Sequence, residues 1–155
     1  MAAPERTQRD ITGLLNAAGH ALSNRLAAAL AEVDLTPRMQ CVLVHAMEEE
    51  RTQIQLAALS FMDKTTMVST VDELEKRGLA ERRPSATDRR ARIIAVTGKG
   101  RKAAAEAQAI VDRVHGEALA GLSDSGRDDF VELLTALASA EGAPGPIRRA
   151  RSPKR

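Results

Sequence analysis

The sequence predicts a mainly α-helical fold that carries a single β-hairpin, and three observations predict it. Apolar residues recur at helical spacing over long stretches near both ends of the chain, at about residues 7–33 and 99–140. Two shorter helical patterns follow each other closely between residues 52 and 78. From Leu79 to Thr97 the pattern changes to two strand-like runs around the segment PSATDRR. Two short helices followed by a hairpin are typical of a winged helix-turn-helix.

The first of the two short helices is predicted over the segment IQLAALSF. Thr52 precedes it and is a good N-cap, because its hydroxyl can accept a hydrogen bond from a free backbone N–H of the first turn. The apolar residues Ile54, Leu56, Ala57 and Leu59 are expected to form its inner side. We therefore predict a packing role for this helix.

The second helix is predicted from Lys64 to Arg77, with Asp63 as its N-cap and Gly78 as its end. Met67, Val71 and Leu74 recur at i, i+4 and i+7 and are expected to face the core. The opposite face then holds Lys64, Thr65, Thr66, Val68, Ser69, Asp72 and Glu73. The first five of these provide a cation, short hydrogen-bonding groups and a methyl-bearing side chain, which suit base edges in the major groove. We interpret this segment as a DNA recognition helix.

The hairpin that follows is rich in arginine. Its strands are predicted at Leu79–Arg83 and Ala91–Thr97, and its arginines are Arg82, Arg83, Arg89, Arg90 and Arg92. Narrow AT-rich minor grooves concentrate negative potential, which attracts an inserted arginine. We therefore predict that Arg90 enters the minor groove, that Asp88 braces it, and that Arg89 contacts phosphate.

These segments resemble the MarR family (multiple antibiotic resistance regulators). The resemblance lies in LAALSFMDKTTMVSTVDELEKRGLAERRP and in the wing TDRRARIIAVTGKG, and it extends loosely from about Leu35 to Leu137. The family pattern supports the roles given to Asp88 and Arg90. Ser69 departs from that pattern, since members often carry a longer polar or basic side chain there, and the base preference is therefore not carried over. The predicted DNA-binding residues are Thr52, Gln53, Lys64, Thr65, Thr66, Val68, Ser69, Arg83, Asp88, Arg89, Arg90 and Arg92.

Charge is distributed unevenly along the 155 residues, although the net charge is only +2. Residues 61–102 hold 11 basic and 6 acidic groups, whereas residues 103–140 hold 2 basic and 7 acidic groups. A basic face on an otherwise acidic body is typical of a DNA-binding protein. The sequence lacks a glycine-rich phosphate loop, a nucleophile elbow and a paired-cysteine motif, so we predict neither an enzyme nor a cofactor. No apolar run suggests a membrane span or a signal peptide, and we expect a cytoplasmic protein.

The outer helices are longer than a small winged helix needs. A first helix is predicted from Thr7 to Glu32, a second begins at Thr36-Pro37, one runs from Thr97 to about Gly121, and a last one opens at Ser123. Their apolar stripes are better buried against a second subunit than left exposed. In the resembling family the terminal helices form a twofold dimer, which matches a pseudo-palindromic operator. We predict one domain over residues 1–141, with its winged helix-turn-helix core at about 52–98, and a disordered basic tail over residues 142–155.

The resemblance also implies a small-molecule site between the dimerisation helices and the DNA-binding lobe. The polar groups nearest to that position are His20, Arg25, Arg38 and His45, and a cation there suits a carboxylate or phenolic ligand. The alternative is that all four side chains only face solvent. Cys41 is the only cysteine, and it lies among apolar residues in a chain without tyrosine, so we expect it to be buried and inert. His45 with Cys41 and His115 would be part of a metal site, but two ligands at helical spacing occur often by chance, and we predict no bound metal.

The sequence therefore predicts a homodimeric, sequence-specific transcriptional regulator, by resemblance a repressor that a small aromatic or carboxylate ligand releases from double-stranded DNA. One alternative is a redox-responsive or metal-responsive regulator of the same fold. Another is a constitutive architectural DNA-binding protein with no effector, for which the wing and the basic tail would suffice.

Overall fold

A computed structural model describes residues 10–138 and confirms the mainly helical fold with a two-stranded wing. The elements in chain order are α1 (Ile11–Leu30), α2 (Pro37–Glu48), α3 (Gln53–Leu59), α4 (Lys64–Lys76), β1 (Ala80–Pro84), β2 (Arg92–Val96), α5 (Gly98–Ala118) and α6 (Asp124–Ala138). A short 3₁₀ turn, Ala31–Val33, follows α1. The predicted helix start at Thr7 and the predicted tail over residues 142–155 lie outside the described residues.

Local hydrogen bonds set the helix starts, and the predicted caps are confirmed. The Thr52 hydroxyl accepts from the backbone N–H of Gln55 at 3.3 Å, and the Gln55 side chain accepts from the Thr52 backbone N–H at 2.8 Å. This reciprocal pair satisfies two backbone donors that a helix start would otherwise leave free. Thr36 and Thr97 also cap their helices, α2 and α5, because their hydroxyl oxygens accept from the backbone N–H groups of Met39 and Gly100. Gly78 ends the α4 turn at a φ of 68°, a left-handed conformation that glycine adopts without steric cost.

The wing is an antiparallel pair that is tied to the chain segment before α3. Ala80 pairs with Val96, Arg82 with Ile94, and Pro84 with Arg92. On the other edge of β2, the Ile94 backbone N–H donates to the Arg51 carbonyl at 3.0 Å, and Thr52 forms a bridge with Ile93. Because β2 is bonded on both edges, the base of the wing is fixed relative to α3.

The core lies between the winged helix-turn-helix and the helices α2 and α5. The largest fully buried side chains are those of Leu30, Val42, Leu43, Leu56, Met67, Val71, Leu74 and Ile94. The predicted inner stripe of α4, formed by Met67, Val71 and Leu74, is thus confirmed. Its burial fixes which side of α4 faces outward.

The inner side predicted for α3 is only partly right. Leu56 is fully buried and Ala57 is half-buried, but Ile54 is 79% exposed and Leu59 is 42% exposed. At 100° per residue Ile54 lies about 200° around the helix from Leu56. This seven-residue helix packs against α2, α4 and β2 through the side that carries Leu56, so Ile54 and Leu59 remain largely outside the core.

The apolar stripes of the outer helices, which were predicted to pack against a second subunit, are largely exposed in the single chain. On α1 the residues Leu26 and Leu30 reach the core, whereas Ile11, Leu14 and Leu15 do not. On α6 the apolar residues Phe130, Val131, Leu133 and Leu137 are exposed in the single chain, and Leu134 is half-buried. Helix α5 ends at Ala118 instead of Gly121. No helix among the described residues is long and apolar enough to cross a membrane.

Candidate nucleic-acid interface

The outward face of α4 presents most of the predicted base-reading side chains to solvent. Lys64, Thr65 and Ser69 are exposed, and Val68 is half-buried. Within the described residues, the side chains of Lys64 and Thr65 have no hydrogen-bond partner. The Ser69 hydroxyl donates to the Thr66 carbonyl at 3.0 Å, which leaves its oxygen lone pairs available as acceptors. Helix α4 therefore offers a surface with one cation and small hydrogen-bonding groups.

The hydroxyl and the backbone N–H of Thr66 already form hydrogen bonds within the protein, which the sequence did not indicate. Its hydroxyl donates to Asp63 Oδ2 at 2.7 Å, and its backbone N–H donates to Asp63 Oδ1 at 2.9 Å. These two bonds lower the pKa of the Asp63 carboxyl, with the backbone N–H as the largest cause. Thr66 thus forms part of the helix cap at the end of α4 that carries Lys64.

Because the cap residue Asp63 is charged, the stability of the protein is expected to depend on pH. The folded-state pKa of Asp63 lies below its ordinary value of 3.8, so its stabilisation is fully present above that value and is lost as pH falls through the folded-state pKa. Asparagine caps a helix about as well but carries no charge. In urea unfolding, we expect the stability difference between wild type and Asp63→Asn to shrink as pH falls from about 6 to about 3. A difference that stays constant over this range would contradict a charged cap.

The wing loop is built around two side chains. Asp88 Oδ1 accepts from the Arg90 backbone N–H at 2.9 Å, so Asp88 holds the backbone of Arg90 and leaves its guanidinium free. The buried Ser85 hydroxyl donates to Glu50 Oε2 at 2.9 Å and accepts from the Thr87 backbone N–H at 3.1 Å. Glu50 lies before α3, so this contact fixes the loop to the body of the domain. Sequence reasoning did not identify Glu50 or Ser85.

The arginines of the wing divide into two groups. The side chains of Arg83, Arg89, Arg90 and Arg92 are exposed and have no ion pair or hydrogen bond with any described residue. Arg82, in contrast, donates to Asp72 Oδ1 at 2.7 Å, to Glu75, and to Gln53 Oε1. Four guanidinium groups are therefore available to a polyanion, and the fifth is engaged within the domain.

Arg82 connects the three parts of the winged helix-turn-helix. Asp72 and Glu75 lie on α4, Gln53 begins α3, and Arg82 itself lies on β1. The sequence contained one signal that Arg82 differs from the other arginines. Side chains alternate between the two faces of a strand, so Arg82 lies on the same face of β1 as the buried Ala80. The same bonds occupy the Gln53 amide oxygen, and the capping box occupies the Thr52 hydroxyl. Both of these predicted contact residues thus also have a structural role.

Comparison with known proteins places this arrangement in a family. A family model described as the MarR family matches residues 33–91. The structure of CouR from Rhodococcus jostii RHA1 bound to p-coumaroyl-CoA is 33% identical, with a TM-score of 0.80, over 88% of this chain and 96% of that one. A MarR-family transcriptional regulator from Rhodococcus sp. RHA1 is also 33% identical, with a TM-score of 0.78, over 87% and 97% of the two chains. This protein belongs to the MarR family.

A third structure shows a related protein on DNA. It is the transcriptional repressor CouR bound to a 23-mer DNA duplex, and it is 30% identical with a TM-score of 0.74. The similarity covers 83% of this chain and 92% of that chain. As a MarR-family regulator, the present chain carries its winged helix-turn-helix between α1 and α5, as the sequence predicted.

Of the four side chains predicted to bind an effector, three make separate contacts in the single chain. Arg25 Nη2 donates to Glu117 Oε2 on α5 at 3.1 Å, and His20 Nε2 lies 3.0 Å from Asn24 Nδ2 on its own helix. His45 Nδ1 lies 3.3 Å from Glu48 Oε2 at the end of α2. Arg38 is exposed and has no partner among the described residues. No hydrogen bond or ion pair joins any two of the four in the described part of this MarR-family chain.

The end of α2 instead forms an ion-pair network. Arg51 donates to Glu48 Oε2 at 2.6 Å and to Glu49 Oε1 at 2.7 Å, and it also donates to the His45 carbonyl. The hydrogen bond from Arg51, followed by that from His45, lowers the pKa of Glu48. Since the Arg51 carbonyl accepts from Ile94, this network connects α2 with the wing.

Cys41 and the histidines were the candidates for a redox or metal site. Cys41 is half-buried, so the expectation of a buried cysteine is only partly right. Among the described residues, no group of three or more His, Cys, Asp or Glu side chains is placed to hold a metal ion.

Proposed function

We propose that this protein is a homodimeric transcriptional repressor that binds a pseudo-palindromic site in double-stranded DNA and acts as a regulator, not as an enzyme. One observation carries the proposal. The exposed face of α4 and four unpaired wing arginines lie in one unit that Arg82 and Glu50 hold together. Such a unit can place short polar groups in the major groove while guanidinium groups contact phosphate and the adjacent minor groove. The related CouR, a repressor bound to DNA, supports this role.

The exposed apolar faces of α1 and α6 support the dimer. Leu14 is 63% exposed and Leu133 is 65% exposed, and both belong to stripes that continue along their helices. Apolar patches of this kind on a soluble protein usually mark a protein interface. A second copy would bury them and would place two α4 helices on successive major grooves, about 34 to 36 Å apart.

We further propose that a small organic anion releases the repressor from DNA. CouR, at 33% identity, is described in complex with p-coumaroyl-CoA, a ligand that combines an aromatic group with negative charge. A ligand weakens DNA binding only if it binds the DNA-incompetent arrangement of the two lobes more tightly. A constitutive architectural protein would bind DNA equally well at every ligand concentration.

Two substitutions separate base reading from phosphate contact. On an operator selected from random duplexes, Ser69→Ala is expected to cost about 1 to 3 kcal/mol and to change the preference at one base pair, with little effect on random DNA. Arg89→Ala is expected to weaken binding to both duplexes alike and to reduce the salt slope by about 1. Fluorescence anisotropy at several salt concentrations measures both effects.

Arg113→Ala is the matched control, because Arg113 is an exposed arginine on α5 away from the wing and α4. It should leave both affinities close to those of the wild type. If Ser69→Ala weakens selected and random duplexes equally, α4 does not read bases at this position. If no duplex is selected at all, the proposed function fails.

A further inference from the structure

A cleft of about 810 Å³ lies on the side of the domain formed by the end of α4, the turn after α1 and the first turns of α5. Its lining includes the apolar side chains of Leu35, Leu79 and Ala103. Leu35 and Leu79 belong to the hydrophobic core, and Ala103 packs against it. Leu35 and Leu79 are only 4% and 5% exposed, so the half-buried Val33 and Ala103 provide most of the apolar surface that can contact a ring or an alkyl group.

The remaining lining of the cleft is mostly cationic. Four cations, Lys76, Arg77, Lys99 and Lys102, face two carboxylates, those of Asp34 and Glu106, which leaves a net charge of +2. The Lys76 and Lys102 ammonium groups have no hydrogen bond or ion pair with any described residue. Lys99 Nζ donates to the Arg77 carbonyl at 2.8 Å. Two ammonium groups are thus free beside an apolar surface.

We propose that this cleft binds a small amphipathic dianion, namely a phosphate monoester that carries an apolar or aromatic group. The two free ammonium groups, those of Lys76 and Lys102, match the two negative charges of the phosphate, and ammonium groups bind phosphate oxygens through charge-assisted hydrogen bonds. A carboxylate with the same apolar group has half this charge and binds less tightly. As the effector site of the regulator, the cleft rests on the proposed function, but its occupancy can be measured without DNA.

The cleft is connected to the recognition helix through Arg77. Arg77 follows α4, its Nε donates to Glu73 Oε1 at 2.6 Å, and its Nη1 donates to the Asp34 carbonyl after α1. Its own carbonyl accepts from Lys99 on α5. A dianion in the cleft competes with these contacts for Lys99 and Arg77. Since the contacts join α4 to α1 and α5, ligand binding changes how α4 is held relative to the outer helices.

Calorimetric titration of the full chain at about pH 8, where a phosphate monoester is a dianion, tests the ligand class. The probes are 1-naphthyl phosphate, 1-naphthoate, 1-naphthalenemethanol and inorganic phosphate. We expect 1-naphthyl phosphate to bind most tightly, 1-naphthoate about tenfold more weakly, and the other two not measurably, because each lost charged contact costs about a factor of ten. Equal affinity for 1-naphthyl phosphate and 1-naphthoate, or no binding of either, overturns the proposal.

Variants locate the site. Lys76→Gln and Lys102→Gln should each weaken 1-naphthyl phosphate about tenfold, with an unchanged Tm, because both side chains are exposed. Arg113→Gln, on α5 but outside the cleft, should have no effect. If Arg38→Gln weakens binding and the lysine variants do not, the site is the one that the family resemblance implies, and the cleft is excluded.

Measuring DNA affinity in the presence of the ligand distinguishes failure of the cleft proposal from failure of the proposed function. With the selected operator, 1-naphthyl phosphate should reduce the DNA affinity of the wild type and leave that of Lys76→Gln and Lys102→Gln much less changed. Calorimetric binding at the cleft without any effect on DNA affinity overturns its role as effector site. Loss of DNA binding by the wild type in all conditions overturns the proposed function and leaves the calorimetric result intact.

Discussion

Gly100→Ala is expected to lower the free energy of unfolding by about 3 kcal/mol, at the upper end of what overpacking usually costs. A Cβ at this position would overlap the backbone carbonyl oxygen of Leu79 and would lie 2.8 Å from Val96 Cγ1. Gly100 is buried where α5 crosses the start of β1, and backbone cannot move aside as a flexible side chain can. Chemical denaturation of both proteins measures the difference.

Gly98→Ala is the control for this prediction. Gly98 is two residues earlier on the same helix, and a Cβ there would meet no atom within 4 Å. Alanine should therefore be neutral or should stabilise by about 0.4 to 1 kcal/mol, through the lower entropy of the unfolded chain. If the two variants lose similar stability, the contact with Leu79 does not account for the effect, because a Cβ at Gly98 makes no such contact.

Leu74→Ala should have an effect of the same size for the opposite reason, because it leaves a cavity. Leu74 is fully buried and belongs to the inner stripe of α4. Removing a buried leucine side chain typically costs about 2 to 5 kcal/mol, from lost burial and from the cavity that remains. We expect about 3 kcal/mol in urea unfolding, together with weaker operator binding where the folded fraction falls.

Leu59→Ala provides the comparison within the same domain. Leu59 is 42% exposed at the end of α3, so its truncation should cost about 1 kcal/mol or less. An equal loss for Leu59→Ala and Leu74→Ala would mean that Leu59 is covered in solution, for example by a partner chain. Measurement at several protein concentrations distinguishes that case, because dimer stability depends on concentration.

Helix α4 was predictable almost completely, because the signals that define it are local in the sequence. Its cap Asp63, its inner stripe and its terminal glycine all act within a few residues of one another. The turn before it was not predictable. Phe61 adopts a φ of 50° there, a left-handed conformation that is uncommon for a residue other than glycine. A phenylalanine in a sequence carries no signal for this conformation.

The roles of the wing arginines were only partly predictable. Composition and the family resemblance indicated that the hairpin is basic, and four exposed guanidinium groups agree with that. Arg82 could not be separated from them by residue type, because its partners Gln53 and Asp72 lie 29 and 10 residues away in the chain. The effector candidates show the same limit: His20, Arg25 and His45 each contact a different residue, and Arg38 has no hydrogen bond or ion pair with a described residue.

The sequence by itself determined the helices, their caps, the hairpin, the family and the concentration of positive charge around the wing. The helices, their caps and the hairpin follow from periodicity or from contacts between residues close in the chain, whereas the family was indicated by the resemblance of whole motifs. Only the tertiary structure decided which of several similar side chains meet. It placed Arg82 between α3, α4 and β1, left Ile54 exposed, and collected Lys76 and Lys102 beside one cleft. These outcomes depend on how distant elements pack, and a linear pattern does not specify which faces of two elements come into contact.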